Sequence, residues 1–137
     1  MPEKARKPAP LQKILCISAS LEDHDALRRI LAEPGWRIIS ANSCQQAIQC
    51  LCRDRVEVIL CDANLPDATW RDILSQIADL TNPPALIVAG GEPDVDLRAQ
   101  VRALGGCDVL AKPLSQEQAR SVLYAALNSR AAAPAIA

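Results

Sequence analysis

Five short apolar runs alternate with five segments of helical period along this chain, and that alternation restricts the fold more than any other feature. The runs are Ile14-Leu15-Cys16-Ile17, Ile38-Ile39, Val56 to Cys61, Ala85 to Ala89 and Asp108 to Ala111. Between and after them, apolar residues recur at helical spacing. Leu27, Ile30 and Leu31 with Ala26 form the first such set, and Ala47, Ile48 and Leu51 the second. Trp70, Ile73, Leu74, Ile77 and Leu80 form the third, Leu97, Val101 and Leu104 the fourth, and Ala119, Val122, Leu123, Ala126 and Leu127 the fifth. Near-continuous apolar strands that alternate with helices imply a parallel sheet covered on both faces.

Punctuation supports these elements. Ser20, with Asp23 three residues on, predicts a capping box, and Ser43 predicts a second N-cap. Asn82-Pro83-Pro84 stops the third helix, and Gly105-Gly106 closes the fourth. The expected architecture is a flavodoxin-like (βα)5 three-layer sandwich with strand order 2-1-3-4-5. Residues 1–12 are expected to form a disordered arm, 13–129 the domain and 130–137 a disordered tail. In such a sheet, chemistry is expected at the carboxyl ends of strands 1, 3, 4 and 5.

Composition removes several function classes. A formal net charge of -1 argues against a surface built for nucleic acid or anionic lipid. The Lys- and Pro-containing start, with Lys4, Arg6, Lys7 and Lys13, lacks the apolar run of a signal peptide and is read as a solubilising arm. Nothing approaches the roughly 18 apolar residues of a membrane span, so a cytoplasmic location is expected. The core must be aliphatic, because Phe is absent and only Trp36, Trp70 and Tyr124 are aromatic. Of the cysteines, Cys16 and Cys61 lie in strand-like runs, where a thiol acts as a small hydrophobe. Cys50 and Cys52, two apart on a helix, point away from each other. Reduced, structural thiols are expected for these and for Cys44 and Cys107, with no zinc or redox disulfide.

The informative residues lie at the strand ends. Strand 3 delivers Asp62, followed by Ala63-Asn64-Leu65-Pro66-Asp67, and strand 5 delivers Lys112-Pro113. An Asp followed by x-x-Leu-Pro, then a strand-end Lys-Pro fifty residues later, resembles the bacterial response-regulator receiver domain from about Lys13 to Asn128. The resemblance implies that Asp62 is the phosphoacceptor position, that Lys112 pairs with it and with phosphoryl oxygens, and that Lys112-Pro113 is cis. It also implies that Asn64 offers only a backbone carbonyl to Mg²⁺.

Departures from that family are as informative. Its two metal-holding acids at the end of strand 1 are replaced by Ser18 and Ala19. Glu22, Asp23 and Asp25 follow, but inside the first helix, where they are expected to lie too far along to substitute. The hydroxyl residue at the end of strand 4 is Ala89, and the switch aromatic of strand 5 is Val109. A Gly at the start of helix 3 is Trp70, expected to be helix packing at the lip of the site in preference to a binding anchor. His24 is expected to be solvated, and Gly90-Gly91-Glu92-Pro93 to be a loop without a phosphate-binding role.

On this reading Asp62 and Lys112 alone carry about zero net charge, against about -2 for a site with three carboxylates, so Mg²⁺ is expected to bind weakly or not at all. The pair's mutual attraction is worth several kcal/mol before desolvation, at an effective dielectric of about 20. The expected function is that of a non-enzymatic, atypical receiver that works through protein contacts without phosphorylation. Its expected partners are proteins, a histidine kinase or other signalling protein among them, or a second copy through helix 4, strand 5 and helix 5. A true phosphoacceptor is the rival reading, and a flavodoxin-like ligand binder is disfavoured because no phosphate loop is visible.

Overall fold

The computed structural model describes residues 12–91 and 95–132. The elements run β1 (Gln12–Ile17), α1 (Leu21–Ile30), β2 (Trp36–Ala41), α2 (Cys44–Arg53), β3 (Val58–Asp62), α3 (Trp70–Ile77), β4 (Ala85–Gly90), α4 (Val95–Ala103), β5 (Asp108–Ala111) and α5 (Gln116–Ala132). The five strands pair in parallel in the order β2-β1-β3-β4-β5, as expected.

Alternation along each strand divides the core into two layers. Leu15, Ile17, Ile59, Cys61, Leu86, Val88 and Val109 face the layer that includes α2, α3 and α4, where Ala47, Trp70, Ile73 and Val101 are buried. Ile14, Cys16, Val58, Leu60, Ile87, Ala89 and Leu110 face α1 and α5, where Leu27, Ala119, Leu123 and Ala126 are buried. Ala119 and Ala126 on α5 are fully buried in this layer.

Several expectations change at the edges. Gln12, expected in the arm, opens β1, and α5 continues to Ala132, through three residues expected in the tail. The rest of the arm and tail, with Lys4, Arg6 and Lys7, and Glu92 and Pro93 of the loop, lie outside the described residues. Leu80 and Leu104, expected on helix faces, fall just past the ends of α3 and α4 and are exposed. Ser43 does cap α2, accepting from the Gln46 amide at 3.2 Å. Ser20 stands at the N-cap of α1 without a side-chain bond: the Asp23 amide donates to the Ser20 backbone oxygen at 3.2 Å, and the Asp23 carboxylate that would supply the other half of a capping box is turned elsewhere.

Gly105 and Gly106 end α4 for separate reasons. Gly105 has φ +103°, a conformation that costs a side chain strain. Gly106 donates its amide to Val101 O at 2.7 Å, and a Cβ there would lie 2.4 Å from the Val101 side chain.

Far from the strand carboxyl ends, α5 is fastened to the α1–β2 turn. Arg120 pairs with Glu33 and donates to Ile30 O at 3.2 Å. Tyr124 donates to Glu33 at 3.1 Å and accepts from the Trp36 indole at 3.1 Å, the two rings meeting edge to face.

Candidate functional site

The carboxyl ends of β1, β3 and β5 bring three side chains together. Asp62 is the last residue of β3, Ser18 follows β1 and Lys112 follows β5. Parallel pairing holds their backbones: Ser18 N donates to Ala41 O at 3.0 Å, and Lys112 N to Gly90 O at 2.8 Å. The Lys112-Pro113 bond is cis. Ala89, in register with Asp62 on β4, presents only a methyl group.

A fourth group joins them, contrary to expectation. Asp23 was expected to lie too far along α1, yet its Oδ2 sits 2.6 Å from Lys112 Nζ and 2.7 Å from Ser18 Oγ. The reason is geometric. Helix α1 begins at Leu21, and the third residue of its first turn points back towards the helix N-terminus, here over the strand ends. Glu22 and Asp25 are exposed, and Asp25 pairs with Arg28 instead.

The four groups close a ring. Lys112 Nζ lies 2.5 Å from Asp62 Oδ1, and Ser18 Oγ lies 2.8 Å from Asp62 Oδ2. The Ser18 hydroxyl also accepts from Ser20 N at 3.0 Å. A hydroxyl has one hydrogen, so Ser18 serves one carboxylate at a time. The ammonium alone bonds both. With Asp23 included the ring carries a formal charge of about -1, not the zero expected from Asp62 and Lys112.

Burial opposes the charge of Lys112, but its bonds to Asp23 and Asp62 outweigh that and hold its pKa above the ordinary 10.5. The ammonium therefore persists throughout the physiological range. Beneath the ring, burial and the charges of Asp62 and Asp23 push the Cys16 thiol up to about 12. Burial and then Asp62 push the Cys61 thiol up as well. Both stay protonated and weakly nucleophilic. All six cysteines are free; Cys50 is buried and Cys52 exposed, as their spacing requires.

Two more corrections concern neighbours. His24, expected to be solvated, is buried beneath the site. Its Nε2 donates to Ser18 O at 2.8 Å, and its Nδ1 is buried without a partner. Trp70 is not at the lip: only 3% exposed, it is part of the core, with Arg71 stacked 4.8 Å from its ring centre. Val109 is buried in the same layer, and Ala19 is exposed and makes no contribution to the ring.

The loop after Asp62 has an anchor that sequence reasoning missed. Asp67 accepts from Cys44 N at 2.8 Å and Gln45 N at 3.1 Å, binding the β3–α3 loop to the start of α2. The bond from Cys44 N, then that from Gln45 N, hold its carboxyl below the ordinary 3.8 against some desolvation. Its contribution to stability is therefore full above pH 3.8 and is lost as pH falls through the lower folded value. Urea unfolding of wild type and Asp67→Ala is expected to differ at pH 5 and to converge in stronger acid. A gap that stays constant down to pH 2.5, on the order of one pH unit below the ordinary carboxylate range, would remove Asp67 as a charged cap.

Residues 14–124 match the model of the response regulator receiver domain. The chain belongs to that family. Among curated relatives, the receiver domain is 32% identical over 101 residues to the hydrogenase transcriptional regulatory protein HoxA of Cupriavidus necator, covering 73% of this chain and 21% of that protein. It is 26% identical over 111 residues to the two-component response regulator ORR3 of Oryza sativa subsp. indica, covering 78% and 84%. Among solved structures, the signal receiver domain of an HD domain-containing protein from Pseudomonas fluorescens Pf-5 superimposes with a TM-score of 0.80 at 22% identity, covering 92% and 93%. The chemotaxis response regulator CheY4 of Vibrio cholerae gives 0.77 at 19%, covering 85% and 99%. These structural likenesses establish the fold. The receiver domain spans about a fifth of HoxA and most of ORR3. No helix among the described residues is long and apolar enough to cross a membrane.

Proposed function

We propose that this receiver domain is an atypical one, a non-enzymatic protein-contact module of two-component signalling that keeps one surface whatever the state of Asp62. The observation that carries the reading is the ring at the strand ends. Asp62 is already paired with Lys112 through one oxygen, and its other oxygen lies 2.8 Å from Ser18 Oγ, which it shares with Asp23. Phosphoryl transfer depends on a metal and positioned charge more than on covalent help from the protein, and Mg²⁺ is expected to bind weakly or not at all. A phosphoryl group shifts a population only by favouring one conformation through its own contacts. Ala89 has no hydroxyl to offer it, and Val109 no aromatic ring to swing.

The proposed contact surface is the face of α4, β5 and α5, where a groove of about 400 Å³ is lined by Val95, Val109, Leu110 and Val122 with Arg98 and Glu117 among its polar residues. Its occupant on this reading is another signalling protein or a second copy of the domain. Nucleic acid and membrane are not proposed as partners, and a cytoplasmic location belongs to the same reading. The rival, a phosphoacceptor charged by a histidine kinase, draws support from the Asp62–Lys112 pair.

Incubation with acetyl phosphate and Mg²⁺, followed by intact mass and sedimentation, separates the two. No stoichiometric gain of a phosphoryl group is expected, and Asp62→Ala and Asp62→Glu should associate as wild type does. Full modification accompanied by a change in association would overturn the proposal.

A further inference from the structure

We propose that the Lys112 ammonium occupies the place where the family's site would hold a divalent cation, and that Asp23 is the residue that positions it there. This rests on the reading of the site as metal-poor and assigns its cause. Two causes are distinguishable. Either the site has too few oxygens, since Ser18 and Ala19 replace the acidic pair, or it has oxygens enough and they are taken.

The geometry points to the second. Asp23 supplies a carboxylate from α1 in compensation for the one missing after β1, and Ser18 Oγ lies within 2.8 Å of both carboxylates. Into this oxygen-lined space Lys112 inserts its Nζ, 2.5 Å from Asp62 and 2.6 Å from Asp23. A hard divalent ion needs the same oxygens at about 2.0–2.6 Å, depending on the ion. With the ammonium only a few ångströms away it would meet strong repulsion as well. The residues as they stand do not fit such an ion. Asp23 completes the lock: Ser18 can donate to only one carboxylate, so the second is balanced by the ammonium, and Asp23 fixes the ammonium between them.

The test is Mn²⁺ titration of the full chain, read by water-proton relaxation and by thermal unfolding with and without the ion. Wild type is compared with Lys112→Met, Lys112→Gln and the double variant Lys112→Met/Asp23→Asn. Wild type should show no saturable binding below millimolar Mn²⁺. Removing the ammonium should improve affinity at least about tenfold and make the unfolding temperature rise with Mn²⁺. Adding Asp23→Asn should abolish that gain. Circular dichroism establishes folding for each variant, and Lys112→Gln keeps a polar end where Lys112→Met proves too unstable. Lysine variants that bind no better than a silent wild type, or a gain that survives Asp23→Asn, would overturn this inference alone. Tight binding by wild type would overturn it together with the proposed function.

Discussion

Replacing Trp70 by Ala is expected to cost the domain about 3–5 kcal/mol, the range for emptying a large aromatic site in a core. Trp70 is the first residue of α3, yet it is 3% exposed and shares its layer with Leu65, Ile73, Val88 and Val101. Its amide also bonds Ala63 O at 3.3 Å, so ring and backbone fasten the helix start beneath the loop that follows Asp62. Loss of the indole removes a large apolar volume at a junction that cannot collapse without moving that loop. The Arg71 guanidinium would also lose its stacking partner. Trp70→Phe should cost roughly 1–2 kcal/mol, because much of the volume is kept. Urea unfolding followed by far-ultraviolet circular dichroism is the measurement. A loss below about 0.5 kcal/mol for Trp70→Ala, the usual scale of surface substitutions, would mean that the ring is not part of the core.

Unequal costs are expected within the ring. Lys112→Ala should destabilise by about 2–3 kcal/mol, somewhat less than breaking a fully buried pair, because these groups are partly exposed. It leaves two carboxylates, Asp23 and Asp62, facing each other with one hydroxyl hydrogen between them. Asp62→Ala should cost under about 1 kcal/mol, since Lys112 keeps Asp23 and Ser18 keeps a carboxylate acceptor. Asp23→Ala should lie close to Asp62→Ala, with the added loss of an acid in the first helical turn. Denaturant midpoints of the three variants at pH 7 give the order. Equal losses for Lys112→Ala and Asp62→Ala would mean that the ammonium does not serve two partners.

The layers and strand order were legible because the runs are short, apolar and regularly spaced, a pattern that few folds accommodate. Asp62 and Lys112 were legible from their positions at strand ends. Asp23 was not, because whether an acid in a first helical turn caps its own helix or reaches a neighbouring strand depends on how the helix docks. His24 could have been found: it stands three residues before Leu27 and six before Ile30, on the same face. Its polarity suggested solvent, where periodicity pointed inward. Asp67 depended on a contact across 23 residues that no local pattern encodes.

The two indoles lie in different layers, Trp36 half-buried against α5 and Trp70 enclosed on the opposite side of the sheet. With no phenylalanine and a single tyrosine in the chain, near-ultraviolet absorption reduces to these three rings. Trp70 should emit at shorter wavelength than Trp36, so one spectrum carries a separate optical signal from each half of the core. Coincidence of the two signals through an unfolding transition is a built-in measure of cooperativity. It would reveal whether the half that carries α1 and α5 can loosen while the half beneath α3 and α4 stays intact.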